Sequence, residues 1–282
     1  MNKRKLEEAF FKALMLLSTS IVLGSLSAVF AVVILKGAPA LSLSMLTQTP
    51  KGGYYLGKEG GILNAIIGSL YLAIGATALA FLLSLPIALY LNEYAGKSRF
   101  ASLTRLSLDV LWGIPSIVYG AFAFIIMLYV GARASLLWGI ITVTLFVFPI
   151  MTRAIDEVMK MSPFKLREAS YALGSTRLET ALKVLTRQTL PGMLTAILLA
   201  FGRGIGDAAS VLLTAGYTDS IPRSLFDPVA TLPLAVFFQL GTPIPEVQQR
   251  AYASGVVLLA LVLLLSIASR ISTRKFMKYV IK

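Results

Sequence analysis

The chain has 282 residues, of which 57% are hydrophobic and only 14% charged, with a net charge of +13. With a mean hydropathy of +0.80 it lacks the polar surface that a soluble domain of this length needs, and its basic residues lie between long apolar runs without forming a nucleic-acid-binding patch. It contains neither cysteine nor histidine, which excludes disulfides, thiolate metal sites and iron–sulfur clusters and makes zinc hydrolysis and Ser-His-Asp catalysis poor candidates.

The basic start Met1-Asn2-Lys3-Arg4-Lys5 leads into the apolar run Leu14–Leu35. That run exceeds the roughly 7–15 residues of a cleaved signal core and suits an uncleaved spanning helix of about 20 residues. Five further runs follow: Ile62–Leu91, Val110–Val130, Ala134–Met151, Leu190–Gly216 and Ala251–Ser269. The expected fold is all-α: a polytopic integral membrane protein with about six transmembrane helices, in a single transmembrane domain over residues 1–282. The second run is longer than a bilayer requires and should tilt or bend at Pro86. Gly131-Ala132-Arg133 leaves room only for a tight turn between the third and fourth.

Two outer segments, about 37–61 and 217–250, are long and rich in glycine, proline or serine, and Leu232–Leu240 within the second predicts a short external helix lying on the bundle. Nineteen of the 26 lysines and arginines fall on the side shared by the two termini, six on the other, and Arg203 inside the fifth run. This asymmetry places both termini in the cytoplasm. None of the runs looks like an inverted copy of another, which argues against a secondary transporter built from inverted repeats.

The segment from about 160 to 190 is the most informative cytoplasmic stretch. Ser162 can cap a helix with Pro163 at its first position, and Gly174 can end it. Thr176-Arg177-Leu178-Glu179 is a capping-box pattern, and Leu178, Leu182 and Leu185 fall on one face of the helix it opens. From these residues alone, two amphipathic helices resting on the membrane as a connecting loop remain one reading. A coupling element for a partner is the other.

Arg203 costs about 2.5–3.5 kcal/mol inside a span, so it should face the bundle interior or a polar cavity. Asp207 follows one turn later on the same face. Either the two neutralise each other and lock the bundle, or Arg203 grips a passing oxyanion with two donors at once. Gly202 and Gly206 suit close helix approach; their spacing with Gly204 is not that of a dinucleotide fingerprint. Asp109 is expected to pair with Arg105, and Pro115 to permit a bend in the third run. No G-x-x-x-x-G-K-[ST] loop occurs, so no ATPase site of its own is expected, and no cofactor or metal is called for.

Glu168-Ala169-Ser170, then three residues, then Gly174 resembles the EAA---G loop of ABC-importer permeases. Tyr90-Leu91-Asn92-Glu93-Tyr94-Ala95, Gly113-Ile114-Pro115-Ser116-Ile117-Val118-Tyr119-Gly120, and Gly202-Arg203-Gly204-Ile205-Gly206-Asp207 with Leu212-Leu213-Thr214-Ala215-Gly216 resemble the PstA-type permeases of phosphate importers, along nearly the whole chain. Two departures stand out. Thr186-Arg187 occupies the place of a usual Leu-Pro, which appears later as Leu190-Pro191, and Asp207 stands where the family usually has glutamate.

The resemblance implies a permease subunit of an ATP-driven importer of inorganic phosphate in a prokaryotic inner membrane. It implies that Glu168, Ala169, Ser170 and Gly174 belong to a coupling helix seated on a cytoplasmic ATP-binding-cassette ATPase dimer, and that Arg203 and Asp207 line the substrate pathway. It further implies a heterodimer with a sister permease, and an external phosphate-binding protein. The alternatives are a permease for another oxyanion (molybdate, sulfate) and a stand-alone anion channel or secondary transporter, which would not depend on a separate ATPase.

Overall fold

The computed structural model describes residues 3–51, 59–96 and 98–276. Met1, Asn2 and four of the basic residues counted above (Lys58, Lys97, Lys278 and Lys282) lie outside them. The chain forms helices α1 (Lys3–Gly37), α2 (Leu43–Thr47), α3 (Leu63–Glu93), α4 (Arg99–Trp112), α5 (Ser116–Tyr129), α6 (Leu136–Lys160), α7 (Phe164–Ala172), α8 (Arg177–Glu179), α9 (Thr186–Gly206), α10 (Leu232–Leu240) and α11 (Pro245–Phe276). Thr180–Leu185, between α8 and α9, is a π-helical turn. A two-residue antiparallel pair, β1 (Pro50–Lys51) and β2 (Glu59–Gly60), closes one loop. Five continuous helical stretches are long and apolar enough to cross a membrane, and a sixth crossing is available as the bent pair α4–α5.

The centre of the molecule is α3 against α6, with α9 packed on both. On α6, Val143, Val147, Met151, Ile155 and Met159 recur every four residues and are all fully buried, the one-face repeat of a packed helix. Clustered with them, α3 presents Ala76, Ala80 and Ala88, also fully buried; small residues let membrane helices approach closely. Hydroxyl groups tie the two helices together: Thr152 donates to Ser84 Oγ at 2.8 Å and Thr144 to the Ala76 carbonyl at 3.3 Å. α3 runs unbroken through Pro86.

Three expectations change. The third apolar run is not one helix. α4 and α5 meet at 97°, because a proline disfavours the helical conformation in the residue before it and starts a new helix itself; Pro115 is the N-cap of α5 and does not merely bend a continuous helix. Tyr119 of α5 donates to the Leu111 carbonyl at 2.8 Å, satisfying one of the acceptors left at the end of α4. The fifth run also stops early: α9 ends at Gly206, and turns follow over residues 209–215. Gly120 of α5 packs on them so closely that a side chain there would begin 2.6 Å from the Ser210 carbonyl oxygen. Finally, Leu232–Leu240 is helical as expected, but Leu232, Leu234 and Ala235 of α10 are fully buried. The helix is wedged against α11 and α3 and does not lie on the bundle.

α1 stands apart. Its apolar stretch has no buried residue, and its packing partner is α11. The contact is close at Gly37, where a side chain would meet the Tyr252 carbonyl at 2.6 Å, and Lys36 sits 5.1 Å over the Tyr252 ring.

Candidate functional site

Arg203 lies in the last turn of α9, about 26 Å along that helix from Thr186 at 1.5 Å per residue. A cation there is favoured by the negative end of the helix dipole. Its guanidinium stacks 4.8 Å from the centre of the Phe146 ring, and Phe146 is near the middle of α6, so Arg203 sits at mid-height of the bundle. Of the two placements expected from the sequence, the bundle interior or a polar cavity, the first does not hold within this chain: Arg203 is exposed, beside Gly206, which is also exposed. A side chain at Gly202 or Gly206 would meet nothing within 4 Å. Of the three glycines only Gly204 serves close packing here, against Val143 at 3.1 Å. Arg203 and Gly202 border a groove of about 350 Å³ between α9 and α11, with Thr195, Val262, Leu265 and Ser266.

Asp207 is not on the same helical face as Arg203. It is the first residue beyond α9, with extended backbone at φ −86°, ψ 124°, and its Oδ2 accepts from the Ser210 amide at 2.8 Å. It therefore caps the turn that follows. Among the described residues no carboxylate is within ion-pair distance of Arg203. Because Asn and Asp cap equally well and Ala does not, Asp207→Asn should change stability by only a few tenths of a kcal/mol and Asp207→Ala should lower it by about 1 kcal/mol. Denaturation in detergent checks this; equal losses for the two variants would rule out the capping role.

The second site is the end of the bundle where α3 and α6 finish. Asp156 is fully buried and surrounded by cations. Arg105 grips it with two donors, each at 3.0 Å, Arg153 approaches to 2.9 Å and Lys160 to 2.7 Å, and Asn92 donates at 2.9 Å. Asp109 pairs with Arg153 at 2.5 Å and not with Arg105 as expected. The sequence carried a signal for this, since Arg105 and Asp109 are four apart on α4 and Arg153, Asp156 and Glu157 share one turn of α6. What it lacked was the right-angled break that lays α4 across the end of α6.

The segment expected from its sequence to couple to a partner lies at the same end. α7 is capped by Pro163, with no side-chain bond from Ser162, and closed by Gly174, whose φ of 81° suits glycine. Glu168 and Ala169 are exposed, together with Met161, Phe164 and Leu173. Ser170 instead points inward, its Oγ 2.8 Å from that of buried Thr180. The capping box forms as read: the Glu179 amide donates to Thr176 Oγ1, and the Thr176 amide to Glu179 Oε2. The expected leucine face does not survive. Leu178 and Leu182 are exposed while Leu185 is fully buried, because the wider π turn between them breaks the 3.6-residue period. The sequence also missed Glu93, the last residue of α3, which meets Arg167 and Tyr171 of α7.

Residues 84–278 match the family model described as "Binding-protein-dependent transport system inner membrane component". The chain belongs to this family. Among curated relatives of this permease, the Phosphate transport system permease protein PstA of Haemophilus influenzae is 31% identical over 269 residues, 95% of this chain and 94% of that one. The protein of the same name from Yersinia pestis is 34% identical over 236 residues, 84% and 79% of the two chains. A chain in the crystal structure of a bacterial alginate ABC transporter superposes with a TM-score of 0.68 over 99% of both chains at 11% identity, a likeness of fold. The permease is thus a multi-pass membrane protein, and its family match covers both Arg203 and α7.

Proposed function

We propose that the chain is the transmembrane permease subunit of an ATP-driven importer for inorganic phosphate, passing the anion between paired permeases while partner ATPase subunits hydrolyse ATP. The observation that carries the reading is the exposed Arg203 guanidinium at mid-height of the bundle. An arginine turned to hydrocarbon there is costly, by about 2.5–3.5 kcal/mol, so this face meets water, an anion or a sister subunit. Arginine's planar donors suit a tetrahedral oxyanion, and the names of the relatives supply phosphate as that anion. Arg203 attracts the anion to the pathway, and Asp207, just beyond the end of α9 with its carboxylate held by the Ser210 amide, lines that pathway further along the chain.

The basic end of the bundle faces the cytoplasm, with both termini, in a prokaryotic inner membrane. There α7 is the coupling helix. Its exposed Glu168 and Ala169, flanked by Phe164 and Leu173, dock on the ATPase dimer, while Ser170 and Gly174 hold its shape. The absence of a phosphate-cradling loop of the G-x-x-x-x-G-K-[ST] kind supports leaving hydrolysis to that partner. The permease pair is a heterodimer with a sister permease, fed by an external phosphate-binding protein.

The test is ATP-dependent uptake of labelled phosphate into vesicles holding this chain, its sister permease, the ATPase and the binding protein. Uptake that requires this chain and is not competed by sulfate or molybdate supports the reading. Uptake of another oxyanion instead, or uptake without the ATPase, overturns it. At the coupling helix, Gly174→Val forces a left-handed conformation on a β-branched residue, and should reduce co-purified ATPase about tenfold. Normal co-purification would count against the assignment of α7.

A further inference from the structure

We propose that Glu93 is a latch joining the second span to the coupling helix, so that movement of α7 is passed directly to α3. The inference rests on the reading of α7 as the ATPase-docking helix. Glu93 is the last residue of α3, and its side chain is 2% exposed. A carboxylate at a helix C-terminus opposes the helix dipole, and burial removes it from water, so the fold keeps it there only against partners. The two side chains that touch it both come from α7, and the charge of Arg177 at the start of α8 also favours the carboxylate. The Tyr171 hydroxyl donates to Glu93 Oε1, and Arg167 Nε lies 3.5 Å from Oε2. Arg167 and Tyr171 are four apart, so they share one face of α7.

Chain connectivity shows why such a contact matters. α7 is joined covalently to α6 through residues 161–163 and to α9 through α8 and the π turn, and the Ser170–Thr180 contact strengthens the second link. α3 has no such link to α7, although it forms the centre of the bundle with α6. Glu93 supplies one. Its two contacts have complementary mechanics. The Tyr171 hydrogen bond fixes a position, whereas the ion pair with Arg167 weakens only slowly with distance and so holds while α7 shifts. The opposite side of α7, with Glu168, Ala169 and Leu173, stays free for the ATPase.

The experiment measures phosphate taken up per ATP hydrolysed by the complete importer in vesicles, together with its yield and thermal stability. Glu93→Gln keeps an acceptor for Tyr171 but loses the charge facing Arg167. Tyr171→Phe, at a side chain on the surface of α7, removes only the hydrogen bond and should fold normally. The latch predicts at least a fivefold fall in phosphate per ATP for Glu93→Gln and about twofold for Tyr171→Phe, with ATP hydrolysis and co-purification retained. A wild-type ratio in both variants overturns it, as does a loss of assembled importer with the ratio unchanged, the result of a merely structural contact. If the unsubstituted importer takes up no phosphate, the underlying functional reading has failed, and that is visible before any variant is made.

Discussion

Replacing Arg203 with alanine should lower phosphate uptake at least a hundredfold while leaving the amount of assembled importer unchanged. The structural part of this prediction follows from how little the fold asks of the side chain. Arg203 is exposed and its one described contact is the face of Phe146, a cation–π interaction of about 0.5–1 kcal/mol at such a site. The transport part follows from electrostatics away from bulk water. A unit charge 4 Å from an anion contributes about 4 kcal/mol at an effective dielectric of 20, while a hundredfold loss needs only about 2.7 kcal/mol. Arg203→Lys keeps the charge but loses the planar fork and should fall between, about tenfold below the parent. Labelled-phosphate uptake normalised to purified importer measures both. Uptake within twofold of the parent for Arg203→Ala would remove this residue from the anion's path.

The largest loss of stability is expected at Asp156. Arg105, Arg153 and Lys160 converge on a carboxylate with no exposed surface, and removing one partner of a buried ionic cluster costs about 3–5 kcal/mol because the others are left uncompensated. Asp156→Ala should therefore lower the denaturation midpoint in detergent sharply and loosen α4, which Arg105 pins across the end of α6. Glu157 is the control. It lies next along the chain and pairs with two of the same cations, Arg153 and Lys160, but its side chain is 56% exposed. Exposed pairs contribute about 0–1 kcal/mol, so Glu157→Ala should leave the midpoint nearly unchanged. Equal effects at the two positions would mean that burial is not what gives Asp156 its weight.

Hydropathy made the crossings legible because an apolar run of about 20 residues has few alternatives to a membrane helix. Local chemistry did the same for Gly174 and the Thr176–Glu179 capping box, where each residue acts on its own neighbours. Direction is what hydropathy cannot see. Val110 to Val130 is apolar throughout, so the right-angled break at Pro115 left the run looking like one helix. Val211-Leu212-Leu213 is as apolar as the end of α9, so the run hid the stop at Gly206 and put Arg203 and Asp207 on one face. The contacts of α3 and α4 with the charged residues of α6, and those of Glu93 with α7, join residues 44 to 78 positions apart. Only the packing of α3, α4, α6 and α7 brings them together. At Arg203 the residue itself was evident and its surroundings were not, since exposure depends on which neighbours the glycines leave uncovered.

The pairing of α1 with α11 sets a schedule for biosynthesis. α1 leaves the ribosome ahead of the other described helices, yet its packing partner begins at Pro245, 208 residues after α1 ends at Gly37. At roughly 5–20 residues per second, the first helix waits about 10–40 s beside the insertion machinery before the last arrives. During that interval the bundle of α3, α6 and α9 can assemble without it. Closing α1 onto α11 then follows the assembly of that central bundle, and a chain shortened within α11 should strand α1 alone in the bilayer, open to membrane proteases.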